Sequence, residues 1–158
     1  MSDKKTVIVG VGNVLMKDDG LGPAVIEELR KAGVHRKADL INAGNAFHRV
    51  VFDLEKYDRV IIVDAVKGTS PPGTLHRFDI AQLRAMGRGR IASIGLSVHE
   101  LSVLPTLLFQ EMYQDKFKNL VFIGVQPEKV TWEEGLTQTV RRALPAILEA
   151  ICKEIQEG

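Results

Sequence analysis

Three side chains far apart along the chain could together grip one divalent cation: Asp19, Asp64 and His99. Two carboxylates and an imidazole form an oxygen and nitrogen donor set that suits nickel, zinc or another borderline divalent ion, with positions left open for water or substrate. Each has a plainer role when taken singly. Asp18 and Asp19 stand just before a helical pattern, where a carboxylate can cap free N–H groups and meet the positive end of the helix dipole. Asp64 can simply end a strand. His99 lies inside the capping-box pattern Ser97-x-x-Glu100, in a first helical turn whose dipole keeps an imidazole neutral, as a ligand must be.

Other chemistries fit less well. Gly10-Val11-Gly12-Asn13-Val14-Leu15 carries two glycines of a dinucleotide-binding turn but has Leu15 where the third belongs. The acids Asp18 and Asp19 would also repel a pyrophosphate. His99-Glu100 opens like a zinc-protease HExxH, yet Val103 takes the place of the second histidine. The single cysteine, Cys152, can form no internal disulfide and fits a core helix position. His35, His48 and His76 read as surface residues.

The elements that must position the three donors are short strands alternating with helices. Val7–Val9 and Leu120–Val125 are apolar runs suited to strands buried on both faces, as is Arg59–Asp64 (RVIIVD). Ala38–Ala43 reads as another strand and Thr74–Phe78 as an edge strand. Helices are expected from Gly20 to about Lys31, with Leu21, Val25, Leu29 and Ala32 as the apolar stripe, and from Ala46 to Leu54. A short helix should begin at Asp79. A long one should be capped by Thr137, with Val140, Leu144, Ile147, Leu148, Ile151 and Ile155 on one side and a bend at Pro145. This alternation implies an α/β fold, a mainly parallel sheet with helices on both faces. Ligands of such folds bind beyond the carboxyl ends of the strands, where the strand order reverses.

The 158 residues, with 45% hydrophobic and 26% charged, fit one domain spanning 1–158. A net charge of +1 carries no nucleic-acid footprint. No apolar run approaches the roughly 18 residues of a membrane span. The start, MSDKKTVIV, lacks a signal-peptide layout, so a cytoplasmic setting is the expectation.

Several blocks together resemble the hydrogenase maturation endopeptidases. They are Gly10–Leu15 followed by Asp18-Asp19-Gly20-Leu21-Gly22, then Val63-Asp64-Ala65, His99, Gly124-Val125-Gln126-Pro127-Glu128 and Gly135-Leu136-Thr137. The resemblance implies a three-layer α/β/α sandwich around a mainly parallel twisted sheet of about five strands. It also implies an aspartic-type endopeptidase that removes the C-terminal extension of a nickel–iron hydrogenase large-subunit precursor after nickel insertion. Asp19, Asp64 and His99 match the family's metal-binding and catalytic positions. The nickel would be carried by the precursor, with zinc or cadmium as surrogates. Apart from the resemblance, a monomer is the default expectation because no exposed apolar helix face stands out, and charge and apolar run lengths point to no nucleic-acid or membrane partner. One departure stands out: many members have an acid followed by two glycines after the second strand, where this chain reads Asn42-Ala43-Gly44-Asn45. That change keeps an alternative open, a non-cleaving module that senses nickel or escorts the precursor.

Overall fold

The computed structural model describes residues 5–82, 117 and 119–157. Among them, five strands form one sheet: β1 (Thr6–Val11), β2 (Asp39–Gly44), β3 (Arg59–Ala65), β4 (Leu75–Asp79) and β5 (Leu120–Val125), in the order β2-β1-β3-β5-β4. Pairing is parallel except between β4 and β5, which run antiparallel. The expected sandwich is therefore present, as a mixed sheet with an antiparallel edge strand. All six residues of β1 and of β5 are buried, which is why these strands read as unbroken apolar runs rather than as alternating ones.

Two apolar clusters divide the helices between the faces. On one face Val7, Val9, Val60, Ile62, Phe78 and Phe122 pack with Phe47, Val51 and Leu54, which come from α2 (Phe47–Val50) and the 3₁₀ turn Val51–Lys56. On the other, Ile8, Ile61, Val63, Val121 and Ile123 meet Leu21, Val25, Ile26 and Leu29 of α1 (Leu21–Lys31) and Val140, Ile147 and Ile151 of α3 (Gln138–Glu157).

Several details differ from the sequence expectation. The helix expected over Ala46–Leu54 is one α turn continued as 3₁₀, in keeping with the poor helix propensity of Val50, Val51 and Phe52. Ala32 lies past the end of α1 and is exposed, because Gly33, at φ 80°, stops the helix in the left-handed region. At its other end α1 has Gly20 as N-cap and no side-chain cap, so neither Asp18 nor Asp19 caps it. Cys152 is half-buried against the α1/α3 cluster. Thr137 does cap α3, its hydroxyl accepting the Val140 N–H at 3.4 Å, and the helix runs on through Pro145. Asp79 opens a helical turn with a reciprocal cap: Gln82 N–H donates to its carboxylate and Asp79 N–H to the Gln82 side chain, both at 2.9 Å. The capping box at Ser97 and Glu100 lies outside the described residues.

An ion triad centred on the buried Glu154 ties α3 to β3 and β4. Glu154 accepts from Arg59 of β3 and from Arg77 of β4, with Arg77 Nη2 at 3.2 Å from Oε2. Burial by itself would raise the Glu154 carboxyl, but the two guanidiniums outweigh it and hold the group below its ordinary value. A depressed folded-state value contributes stability that is full above the unfolded Glu value of about 4.3 and is lost as pH falls through the lower folded value. Glu154→Gln leaves the buried Arg59 guanidinium without its carboxylate and is expected to cost about 3 kcal/mol at pH 7. Thermal melts should show the gap between wild type and variant narrowing below about pH 4.

Candidate functional site

The strand order reverses between β1 and β3. The chain leaving β1 turns to β2 on one side, while that leaving β3 travels to the β4 edge on the other. A crevice is expected at the carboxyl ends of these two strands, and there the structure places Asp19 and Asp64. Asp64 is the penultimate residue of β3, 1% exposed, and its Oδ1 accepts the Ala65 N–H at 2.8 Å. Its neighbour Val63 pairs with Gly10 of β1. Asp19 follows β1 in the 3₁₀ turn Lys17–Gly20, half-buried, and its Oδ2 accepts the Asn13 N–H at 3.0 Å.

Two glycines explain how the acidic turn comes so close to the strands. Gly12 has φ 140°, and a Cβ there would stand 1.9 Å from the Asp19 carbonyl oxygen. A Cβ on Gly22 would meet Val11 N and O and Val63 O at 2.7 Å or less, so the first turn of α1 rests directly on β1 and β3. These glycines serve close packing of backbone on backbone rather than approach to a pyrophosphate.

The acid pair divides its labour, which sequence reasoning missed. Asp18 is fully buried, and its carboxylate accepts the N–H groups of Glu128, Lys129 and Thr137 at 2.9, 3.0 and 2.8 Å, together with the Thr137 hydroxyl. Lys17 N–H donates to Glu133 O at 2.7 Å, Met16 bridges Glu133, and the Lys17 ammonium lies 3.5 Å from the Glu133 carboxylate. The loop carrying Asp19 and the loop before α3 are thus one platform. Its outer surface shows three large apolar side chains, Val14 52%, Leu15 47% and Trp132 77% exposed, among charged ones that include Lys129 and Glu133. The parallel Met16–Glu133 bridge sets Leu15 beside Trp132.

Asn42 is exposed at the end of β2 and accepts the Gly44 N–H through its side chain at 3.1 Å. It borders a cavity of about 320 Å³ between α1 and α3, whose walls include Lys17, Glu27, Glu28 and Arg141. Neither Asp19 nor Asp64 lines that cavity.

His99 lies outside the described residues, and among the described residues no three His, Cys, Asp or Glu side chains are grouped to hold a metal. Asp64 ends β3 and Asp19 follows the neighbouring strand β1, so two of the three expected donors come from adjoining strands. Of the other histidines, His35 and His48 are exposed as expected. His76 is not a free surface residue: it is half-buried, and burial lowers its pKa from the ordinary value.

The sequence pattern of the hydrogenase maturation protease family matches residues 23–154. The chain belongs to this family. The protease is 34% identical to the coenzyme F420 hydrogenase subunit delta of Methanothermobacter thermautotrophicus, over 97% of this chain and 96% of that protein. It is 26% identical to the hydrogenase 2 maturation protease of Escherichia coli, over 98% of this chain and 92% of that one. Among solved structures it resembles the hydrogenase maturating endopeptidase HybD of E. coli, with a TM-score of 0.78 and 25% identity over 97% of this chain and 93% of the other. This maturation protease has no helix, among the described residues, long and apolar enough to cross a membrane.

Proposed function

We propose that this protease removes the C-terminal extension from the large-subunit precursor of a nickel–iron hydrogenase once nickel is in place. Asp19, Asp64 and His99 engage that nickel. The observation that carries this reading is the placement of Asp19 and Asp64 at neighbouring strand ends, on the reversal point of the sheet, in a member of a maturation protease family. The metal belongs to the substrate. An empty precursor forfeits the ligand bonds, so recognition reports completed nickel insertion. The exposed apolar side chains Val14, Leu15 and Trp132, on the two loops that Asp18 joins, suit a protein substrate better than a small molecule.

Hydrolysis needs water to add to the scissile carbonyl carbon as the C–N bond breaks, with the proton delivered to the departing amine. A carboxylate at the crevice can accept the water's proton and return it, which is the sense in which the aspartic-type class applies. The test is incubation with the precursor, first that of an F420-type hydrogenase, in nickel-loaded and nickel-free forms. Mass spectrometry should show loss of the extension from the loaded form alone; equal cleavage of both would remove the nickel-reporting role.

A second reading, a non-cleaving escort using the same residues, draws support from Asn42 in place of the usual acid. Stable association with loaded precursor whose mass does not change would favour it.

A further inference from the structure

Asp64 of β3 pairs with Gly124 of β5, and Gly124 pairs with His76 of β4, so the three positions form a single row across the carboxyl edge of the sheet. Residues paired laterally in a sheet project to the same face. The next row on the same face, farther from that edge, is Ile62, Phe122 and Phe78, all in one apolar cluster, which fixes that face as the one Asp64 and His76 share. The middle of the row has no side chain. Val66 fills the space instead, since a Cβ on Gly124 would lie 2.5 Å from its Cγ2. The row is thus polar at both ends and apolar between.

The His76 ring is held from two sides. It stacks on Phe78, with centroids 6.2 Å apart and planes 19° from parallel, and Nε2 shares a 2.9 Å hydrogen bond with Ser70 Oγ. Ser70 belongs to the connection leaving β3, six residues after Asp64. With Nε2 engaged by Ser70, Nδ1 remains to make one hydrogen bond to a peptide group, its role set by the tautomer that the Ser70 bond selects. Two strand spacings of about 4.8 Å separate His76 from Asp64, roughly the reach of three residues of extended chain.

We propose that His76, oriented by Ser70, is a substrate-binding residue that hydrogen-bonds the backbone of the precursor about three residues from the point held at Asp64. This rests on the reading of the protein as a precursor-processing protease. Ser70 is the positioning residue, acting through the histidine.

The test is steady-state cleavage of nickel-loaded precursor by His76→Phe, His76→Gln and Ser70→Ala, with wild type as control and thermal melts alongside. His76→Phe should raise KM about five- to tenfold, the scale of one lost hydrogen bond, with kcat within about twofold. His76→Gln should recover part of the loss. Ser70→Ala, on a loop, should raise KM at unchanged Tm. An unchanged KM in His76→Phe, or a fall in kcat alone, would overturn the assignment while leaving the protease reading intact. Should wild type bind loaded precursor without cutting it, the protease reading fails and calorimetry decides. His76→Phe must then weaken binding of the intact precursor about five- to tenfold, or the assignment falls too. Absence of both cleavage and binding by wild type would overturn both.

Discussion

Asp64→Asn is expected to lower cleavage of nickel-loaded precursor by about a hundred- to ten-thousandfold, the range for removing a group that ligates or transfers a proton, while Tm moves by less than about 2 °C. The small stability change follows from the shape of the site. Asn keeps the volume of Asp, and its side-chain carbonyl can still accept the Ala65 N–H that Asp64 Oδ1 accepts at 2.8 Å. What disappears is the negative charge at the strand end, and with it the power to hold a cation or take a proton from water. Asp19→Asn should behave alike, because the Asn13 N–H retains an acceptor. His99→Ala completes the series. The measurement is single-turnover cleavage read by mass, beside thermal melts of each variant. Wild-type rates in Asp64→Asn and Asp19→Asn would break the link between this rim and the chemistry.

Such a clean separation of activity from stability could be foreseen only in part. Strands buried on both faces are legible because a continuous apolar run has few other homes: the expected Leu120–Val125 is the observed β5, and Arg59–Asp64 gains one residue. The edge strand and the Thr137 cap were legible too, being local in origin. The acid pair was not. Local chemistry favoured a helix cap, but the partners of Asp18 lie 110 to 119 positions away, so nothing near it in the sequence announces them. His76 is a similar case. Its place in a row with Asp64 depends on the register of two strand pairings, and register is a long-range property.

Asp18→Ala should do what Asp64→Asn does not: destabilise the protein by about 4 kcal/mol or more, a fall in Tm of roughly 10 °C or beyond for a chain of this size. Removing the carboxylate strands three backbone N–H groups and a hydroxyl, each costing about 1–3 kcal/mol when left buried without an acceptor, although such costs do not simply add. Asp18→Asn should fall between, since one oxygen remains while the amide nitrogen would face N–H donors. Hydrogen exchange would locate the damage: the amides of Glu128, Lys129 and Thr137 should lose protection ahead of those in β1 and β3. Cleavage should fall as well, since the loop carrying Asp19 is held to the one before α3 chiefly through Asp18. The ordering of the two readouts then separates the two acids. At position 64 activity is lost from a folded protein, whereas at position 18 activity is lost because the platform comes apart. An Asp18→Ala protein with wild-type Tm would mean that the two loops are held together by the Met16–Glu133 bridge and the Lys17–Glu133 pair instead.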